Sequence, residues 1–388
     1  MGIRKEVLDC PAFRSLKEVY DDRELVVRQW KSAGKKVVGQ LGCDVPDELI
    51  LAADMLPVRI YADPERKLRQ ADKYLEFSFD PVVRAQFEKL VDGTYYSLVD
   101  HLAISNSTDV IIRIFLYLRE IHRLEPEKKV PPIEFIDWLF TRKPMHQERN
   151  EMLMGLFRQC VDTWAGRTVT DEDIRAAAAI CNEDRAALRE IRALRRAEQP
   201  RISGSEALVI IGSSLFMEKD GHAQLTRQVV EAAKNWPVLS GPRIYYTGSQ
   251  QESTELYDMI EAAGAVVVGE DHDWGDRHYD RDFNLELNPV SAIVDRYMLR
   301  QFSSKKAFVS QRVATLDSEV DDAQADGVLF FMHTYEEAAS WDYPSQKKSL
   351  EDRGITTGAW LRQLYPLAEN KGLQDSLEAF LTSLKGGC

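Results

Sequence analysis

Several polar residues stand where an apolar, strand-length run gives way to a helix-forming one. Open α/β sheets gather their ligand-binding groups at such places. Ser105-Asn106-Ser107-Thr108-Asp109 follows the run Leu98–Ile104 and precedes a long apolar helical stretch. Thr108 or Asp109 would cap that helix, since free N–H groups at a helix start attract such side chains. At the carboxyl edge of a sheet, Ser105, Asn106 and Thr108 would also line a crevice or an interface with a partner. Asp80 stands likewise before Pro81-Val82-Val83-Arg84-Ala85, a second helix start. The run Val328–Met332 empties into His333-Thr-Tyr335-Glu336, which brings together an imidazole, a phenol and a carboxylic acid. His333 could serve as a proton donor, although a single histidine beside a strand end more often serves structure alone. Arg243-Ile-Tyr-Tyr-Thr-Gly-Ser249 is another strand ending in a Gly-Ser turn.

Glu270-Asp-His-Asp-Trp-Gly-Asp-Arg-His278 is dense in carboxylates and imidazoles but lacks an H-E-x-x-H or comparable ligand spacing. It is expected to line a ligand or to face solvent, and no metal site is assigned. Cys43, in the turn Gly42-Cys43-Asp44 after Val37–Leu41, is the one thiol at a strand-end crevice. No P-loop, G-x-G-x-x-G or G-x-S-x-G run occurs. ATP hydrolysis, ordinary dinucleotide binding and α/β-hydrolase chemistry are therefore not expected.

The elements that must position these groups are legible as alternation. Strand-length runs occur at Val37–Leu41, Val58–Ala62, Leu98–Ile104, Ile133–Trp138, Leu208–Ile211, Ile244–Thr247, Val266–Gly269 and Val328–Met332, with helical patterns between them. That alternation predicts α/β structure, two doubly wound parallel-sheet domains with an intervening helical segment. In Lys36–Pro64, Pro46-Asp47-Glu48 opens a short helix between two strands, with the acids at the positive end of its dipole. Residues 144–204 are helical, with a cap at Thr170-Asp-Glu-Asp173, and Arg201–Ser205 breaks the pattern. The expected division is 1–143, 144–204 and 205–388. Acidic turn residues lead from His333 to Asp342-Tyr343-Pro344 and a further helix.

The 388 residues carry a net charge of -13, which argues against a nucleic-acid partner. No apolar run reaches membrane-spanning length and MGIRKEVLDC lacks a signal-peptide core, so no membrane association and a cytoplasmic location are expected. The five cysteines are scattered without a C-x-x-C, which fits a reducing compartment.

VPDELILAADMLPVR (45–59), DPVVRA with NSTD (80–85 and 106–109), GEDHDWGDR (269–277) and ADGVLFFMHTYEEAASWDYPSQKKSL (325–350) together resemble the 2-hydroxyacyl-CoA dehydratase / benzoyl-CoA reductase family. The resemblance implies two α/β domains, paired subunits and an acyl-CoA thioester substrate. It also implies low-potential electrons from a separate ATP-hydrolysing iron–sulfur activator. Family subunits typically hold a [4Fe-4S] cluster through three cysteines. Those positions fall near Asp80, Thr108 and Glu336 here, and no cysteine lies between Cys43 and Cys160 or between Cys181 and Cys388. Hard oxygen donors substitute poorly for thiolates, so this chain alone is expected to bind no cluster.

The expectation is a cluster-poor partner of a paralogous, cluster-bearing subunit. The nearer resemblance is to the smaller of the two substrate-side subunits of ATP-dependent benzoyl-CoA reductases. These enzymes reduce the ring of an aromatic acyl-CoA to a cyclic dienoyl-CoA. On that resemblance His333 and Glu336 are the candidate catalytic groups, and Asp80, Ser105, Asn106, Thr108 and Tyr335 would face substrate or partner. Cys43 would be either a small buried residue or a cluster-proximal ligand at the interface. A 2-hydroxyacyl-CoA dehydratase subunit and a non-catalytic scaffold are the alternatives.

Overall fold

The computed structural model describes residues 2–64, 67–298, 300 and 307–385; Cys388 lies outside them. Two four-stranded sheets carry the chain. The first contains β1 (Val37–Leu41), β2 (Leu56–Arg59), β3 (His101–Ser105) and β4 (Ile133–Ile136), in the order β2-β1-β3-β4. The second contains β5 (Arg243–Gly248), β6 (Val266–Asp271), β7 (Gly327–His333) and β8 (Thr356–Gln363), in the order β6-β5-β7-β8. Every pairing between these strands is parallel. The fold is the expected α/β class, and both sheets share one topology despite unlike sequences.

The central strands read as they do because both of their faces are covered. All five residues of β1 and all seven of β7 are buried, which accounts for continuous apolar runs rather than alternation. Helix Asp171–Arg196 opens on a capping box between Thr170 and Asp173, as its sequence signals. One apolar cluster runs without a break from Val37 and Leu102 of the first sheet to Ile244 and Leu329 of the second. Helix Gly204–Ser213, buried at every residue, belongs to that cluster.

That helix corrects one expectation. Leu208–Ile211 lies inside it and forms no strand, although its composition is that of a buried strand. The helix of the last motif begins at Ala338, earlier than expected, and takes Pro344 into its interior. β8 was not anticipated, because none of its residues is buried and its sequence lacks a continuous apolar run. No helix among the described residues is long and apolar enough to cross a membrane.

Candidate functional site

In each sheet the first strand in sequence pairs with both the second and the third, so the connections diverge there and leave a crevice at the carboxyl ends. Both crevices are shaped by a glycine in the left-handed region. Gly42 has φ 92°, and a Cβ there would stand 2.5 Å from the Ser105 hydroxyl. Gly248 has φ 131°, and a Cβ there would stand 2.1 Å from the Phe331 carbonyl.

The two crevices meet in a single cavity of about 510 Å³. The first sheet contributes Gly42, Cys43, Arg59, Ser107 and Thr108 to its wall. The second contributes Ser249, Trp274, His333, Tyr335 and Glu336, while Asp80 and Glu252 reach it from neighbouring segments. Asp80, Thr108, His333, Tyr335, Glu336 and Cys43 are thus brought together. Ser105 and Asn106 are not. The fully buried Ser105 hydroxyl lies 2.7 Å from that of Ser107 and accepts from the Asp44 N–H at 3.2 Å. Asn106 donates to Asp137 at 2.8 Å and to the Trp138 carbonyl at 2.9 Å. Both tie loops together from behind the wall.

Several of the wall residues are helix-start residues. Asp80 accepts from the N–H groups of Val82 and Val83 at 2.8 and 3.1 Å and caps helix Pro81–Val91. Thr108 accepts from the Ile111 N–H at 3.2 Å and caps helix Asp109–Leu124. Glu336 precedes helix Ala338–Asp352, whose Ala339 and Ala338 N–H groups favour its carboxylate form. Three positive helix ends therefore converge on the cavity, a field that favours negative charge.

Burial works against that charge on the carboxyls themselves. It pushes Glu336 up to about 7, with Asp80 adding repulsion. Burial likewise raises Asp80 to about 6 and Glu252 to about 7. Near neutrality Glu336 and Glu252 therefore stand close to the midpoint of their titration, while Asp80 is mostly ionised. His333 moves the other way: burial lowers it to about 4 against an opposing contact with the Gln363 backbone, so its ring is neutral. The ring nitrogens have no well-formed hydrogen-bond partner, and the ring stacks on Tyr365 at 3.7 Å between centroids. Of the two candidate proton donors, Glu336 is the one with its proton available.

Arg59, Glu252 and Trp274 were not singled out from sequence as site residues. Arg59 and Trp274 lie within motifs noted there, and a strand-end position is the signal that marks them. Three of the four carboxylates of the 270–278 segment pair with arginines: Glu270 with Arg195, Asp271 with Arg277, Asp276 with Arg196. At the cavity's rim, Tyr335 holds φ 72° and meets Phe77 edge-on at 6.1 Å. Trp341 and Phe77 are 81% and 78% exposed, so the rim is aromatic and open.

Comparison with known proteins adds an independent line. A family model described as 2-hydroxyglutaryl-CoA dehydratase, D-component, matches residues 43–360. The chain belongs to this family. The (R)-phenyllactyl-CoA dehydratase beta subunit of Clostridium sporogenes is 23% identical over 350 residues, 88% of this chain and 91% of that protein. The beta subunit of the (R)-2-hydroxyglutaryl-CoA dehydratase of Acidaminococcus fermentans is 21% identical over 345 residues, 85% and 88% respectively. One of the subunits of the benzoyl-CoA reductase of Thauera aromatica is 21% identical over 346 residues, 84% and 86%.

As a member of the dehydratase family, the chain can be tested for an iron–sulfur cluster by its donor set. The residues present do not fit one. Cys43 is the single thiol on the cavity wall, and oxygen groups occupy Asp80, Thr108 and Glu336. Among the described residues, no three His, Cys, Asp or Glu side chains are grouped to hold a metal ion.

Proposed function

We propose that this chain is the substrate-side, cluster-poor subunit of a hetero-oligomeric enzyme acting on an aromatic acyl-CoA, with ring reduction of the benzoyl-CoA reductase type as its reaction. The observation that carries the reading is the convergence of Asp80, Thr108 and Glu336, the positions read as thiolates in relatives, on one cavity. In this reading the redox group belongs to a paralogous partner subunit, which receives electrons from an ATP-hydrolysing iron–sulfur activator. This chain supplies the closed, proton-bearing side of the chamber. Glu336 holds the proton delivered as negative charge develops on the substrate, and a low-dielectric wall strengthens that transfer. Neutral His333, stacked on Tyr365, shapes the floor without competing for the proton.

Aromatic substrates are favoured by the exposed rim of Phe77, Tyr335 and Trp341. Two relatives also bear names that specify aryl acyl groups, phenyllactyl and benzoyl. A second reading, dehydration of an aromatic 2-hydroxyacyl-CoA, is favoured by the 23% identity to the phenyllactyl-CoA dehydratase beta subunit. It would use the same carboxyl to assist loss of the hydroxyl group.

The test is turnover by the complex assembled with its co-expressed partner and activator. Benzoyl-CoA consumed with formation of a dienoyl-CoA is the expected result. Dehydration of (R)-phenyllactyl-CoA without ring reduction selects the second reading, and activity toward neither substrate removes both.

A further inference from the structure

The cavity contains a cation that the fold leaves unspent. Arg59 ends β2 and lines both the main cavity and a narrow extension behind Cys43 with about 10 Å³ of free volume, room for no more than about a water. Other cations of that extension are committed: Lys219 stands 3.4 Å from Asp47, Arg296 3.4 Å from Glu48, and Arg300 3.5 Å from Asp280. The Arg59 side chain differs. Its buried Nε has no hydrogen-bond partner, and among the described residues its guanidinium forms no ion pair. Asp47 and Glu252 feel its charge, yet the Asp47 oxygens go to Gln40 at 2.7 Å and Lys219 at 3.4 Å, and the Glu252 oxygens to Gln250 at 2.8 Å and Arg23 at 3.5 Å.

Buried polar groups in folded proteins are almost always satisfied, so an unpaired guanidinium on a cavity wall marks a place for a ligand. The wall holds two further cases. The fully buried Trp274 has an indole N–H without a partner, and neither ring nitrogen of the buried His333 has a well-formed one. The helix starts at Asp80, Thr108 and Glu336 bias the same space toward an electron-rich guest. Among the described residues, no carboxylate takes that role.

We infer that Arg59 binds the acyl oxygen of the guest in this cavity, an aromatic carboxylate or the carbonyl oxygen of its thioester. This deepens the proposed function and rests on the cavity being the acyl site. A guanidinium fork suits either oxygen, and its grip tightens as that oxygen gains charge.

Calorimetric titration of the purified full-length chain tests it with three probes: benzoate, benzoyl-CoA and S-benzyl-CoA, which lacks the carbonyl oxygen. R59M is expected to weaken benzoate by about tenfold or more and benzoyl-CoA by about threefold, leaving S-benzyl-CoA within about twofold. R59K keeps the charge but not the fork and should lose less. It also serves if R59M fails to fold, a point checked by thermal unfolding. Loss confined to benzoate identifies the free acid as the guest, and loss of benzoyl-CoA as well identifies the thioester. Equal binding of all three probes by wild type and both variants, or no binding of benzoate and benzoyl-CoA by wild type, overturns the inference. The two readings fail separately. Arg59-dependent benzoate binding in a chain whose complex is inactive removes only the reaction, whereas normal turnover by an R59M complex removes only Arg59.

Discussion

At the scale of single residues, the raised pKa values of the cavity carboxyls make a claim that pH can check. Glu336 moves from an ordinary 4.5 up to about 7 in the folded chain, chiefly through burial. A group that binds its proton more tightly folded than unfolded favours the fold below its unfolded pKa. That advantage is lost as pH rises through the folded value. Stability should therefore fall between about pH 4.5 and about pH 7, with Asp80 and Glu252 adding to the slope in the same direction. Glu336→Gln removes one such group. It should be more stable than wild type at pH 8 by up to about 3 kcal/mol, since a rise from 4.5 to about 7 is worth about 1.4 kcal/mol for each pKa unit. The advantage should vanish at pH 4. Urea unfolding at the two pH values decides this, and parallel curves would show that Glu336 ionises as freely folded as unfolded. The same variant should slow turnover of the assembled enzyme by about a hundredfold or more, the usual contribution of a positioned acid.

Elements reach the cavity because buried ion pairs fix how helices meet strands. Glu48, in helix Asp47–Leu51, is fully buried and pairs with Arg185 of the long helix Asp171–Arg196. Tyr297 donates to its other oxygen at 2.9 Å. Burial opposes its ionisation, but Arg185 and Arg296 overcome that and hold the carboxyl below its usual range. Removing one partner strands the others without compensation. Glu48→Ala should thus cost about 3–5 kcal/mol, read from denaturant unfolding, whereas exposed pairs such as Lys348–Asp352 should be worth less than about 1 kcal/mol. This network was not legible in sequence, since pairs separated by more than a hundred positions leave no local pattern. The central strands, the capped helices and the polar turns were legible, because periodicity and capping are local. Leu208–Ile211 misled for a physical reason: a helix buried on every side has no polar face, so its apolar run matches that of a buried strand. Ser203-Gly-Ser-Glu206, a capping box just before it, is the signal that resolves the ambiguity. Ser105 and Asn106 misled because a strand-end loop presents some polar groups to the crevice and spends others on holding itself together.

On the scale of the whole molecule, two sheets of one topology face each other across the cavity with their carboxyl ends. Neither sheet alone builds the wall, since Thr108 comes from one and Glu336 from the other. Chain geometry and donor chemistry can therefore be separated by experiment. If this fold keeps the geometry of a cluster site and only the donors have changed, restoring thiols at Asp80, Thr108 and Glu336 should restore iron binding. The triple variant D80C/T108C/E336C, reconstituted anaerobically with iron and sulfide, should take up stoichiometric iron and show a cluster EPR signal on reduction. Wild type treated identically should take up no stoichiometric iron, because soft thiolates rather than cavity shape decide the affinity. Loss of the Asp80 and Thr108 caps should cost the variant about 1 kcal/mol each, which a thermal unfolding control would reveal. Iron bound stoichiometrically by wild type would mean that oxygen donors and Cys43 suffice, and would end the assignment of redox chemistry to a neighbour. A folded triple variant that stays iron-free would mean that the three positions converge on the cavity without the spacing a cluster requires.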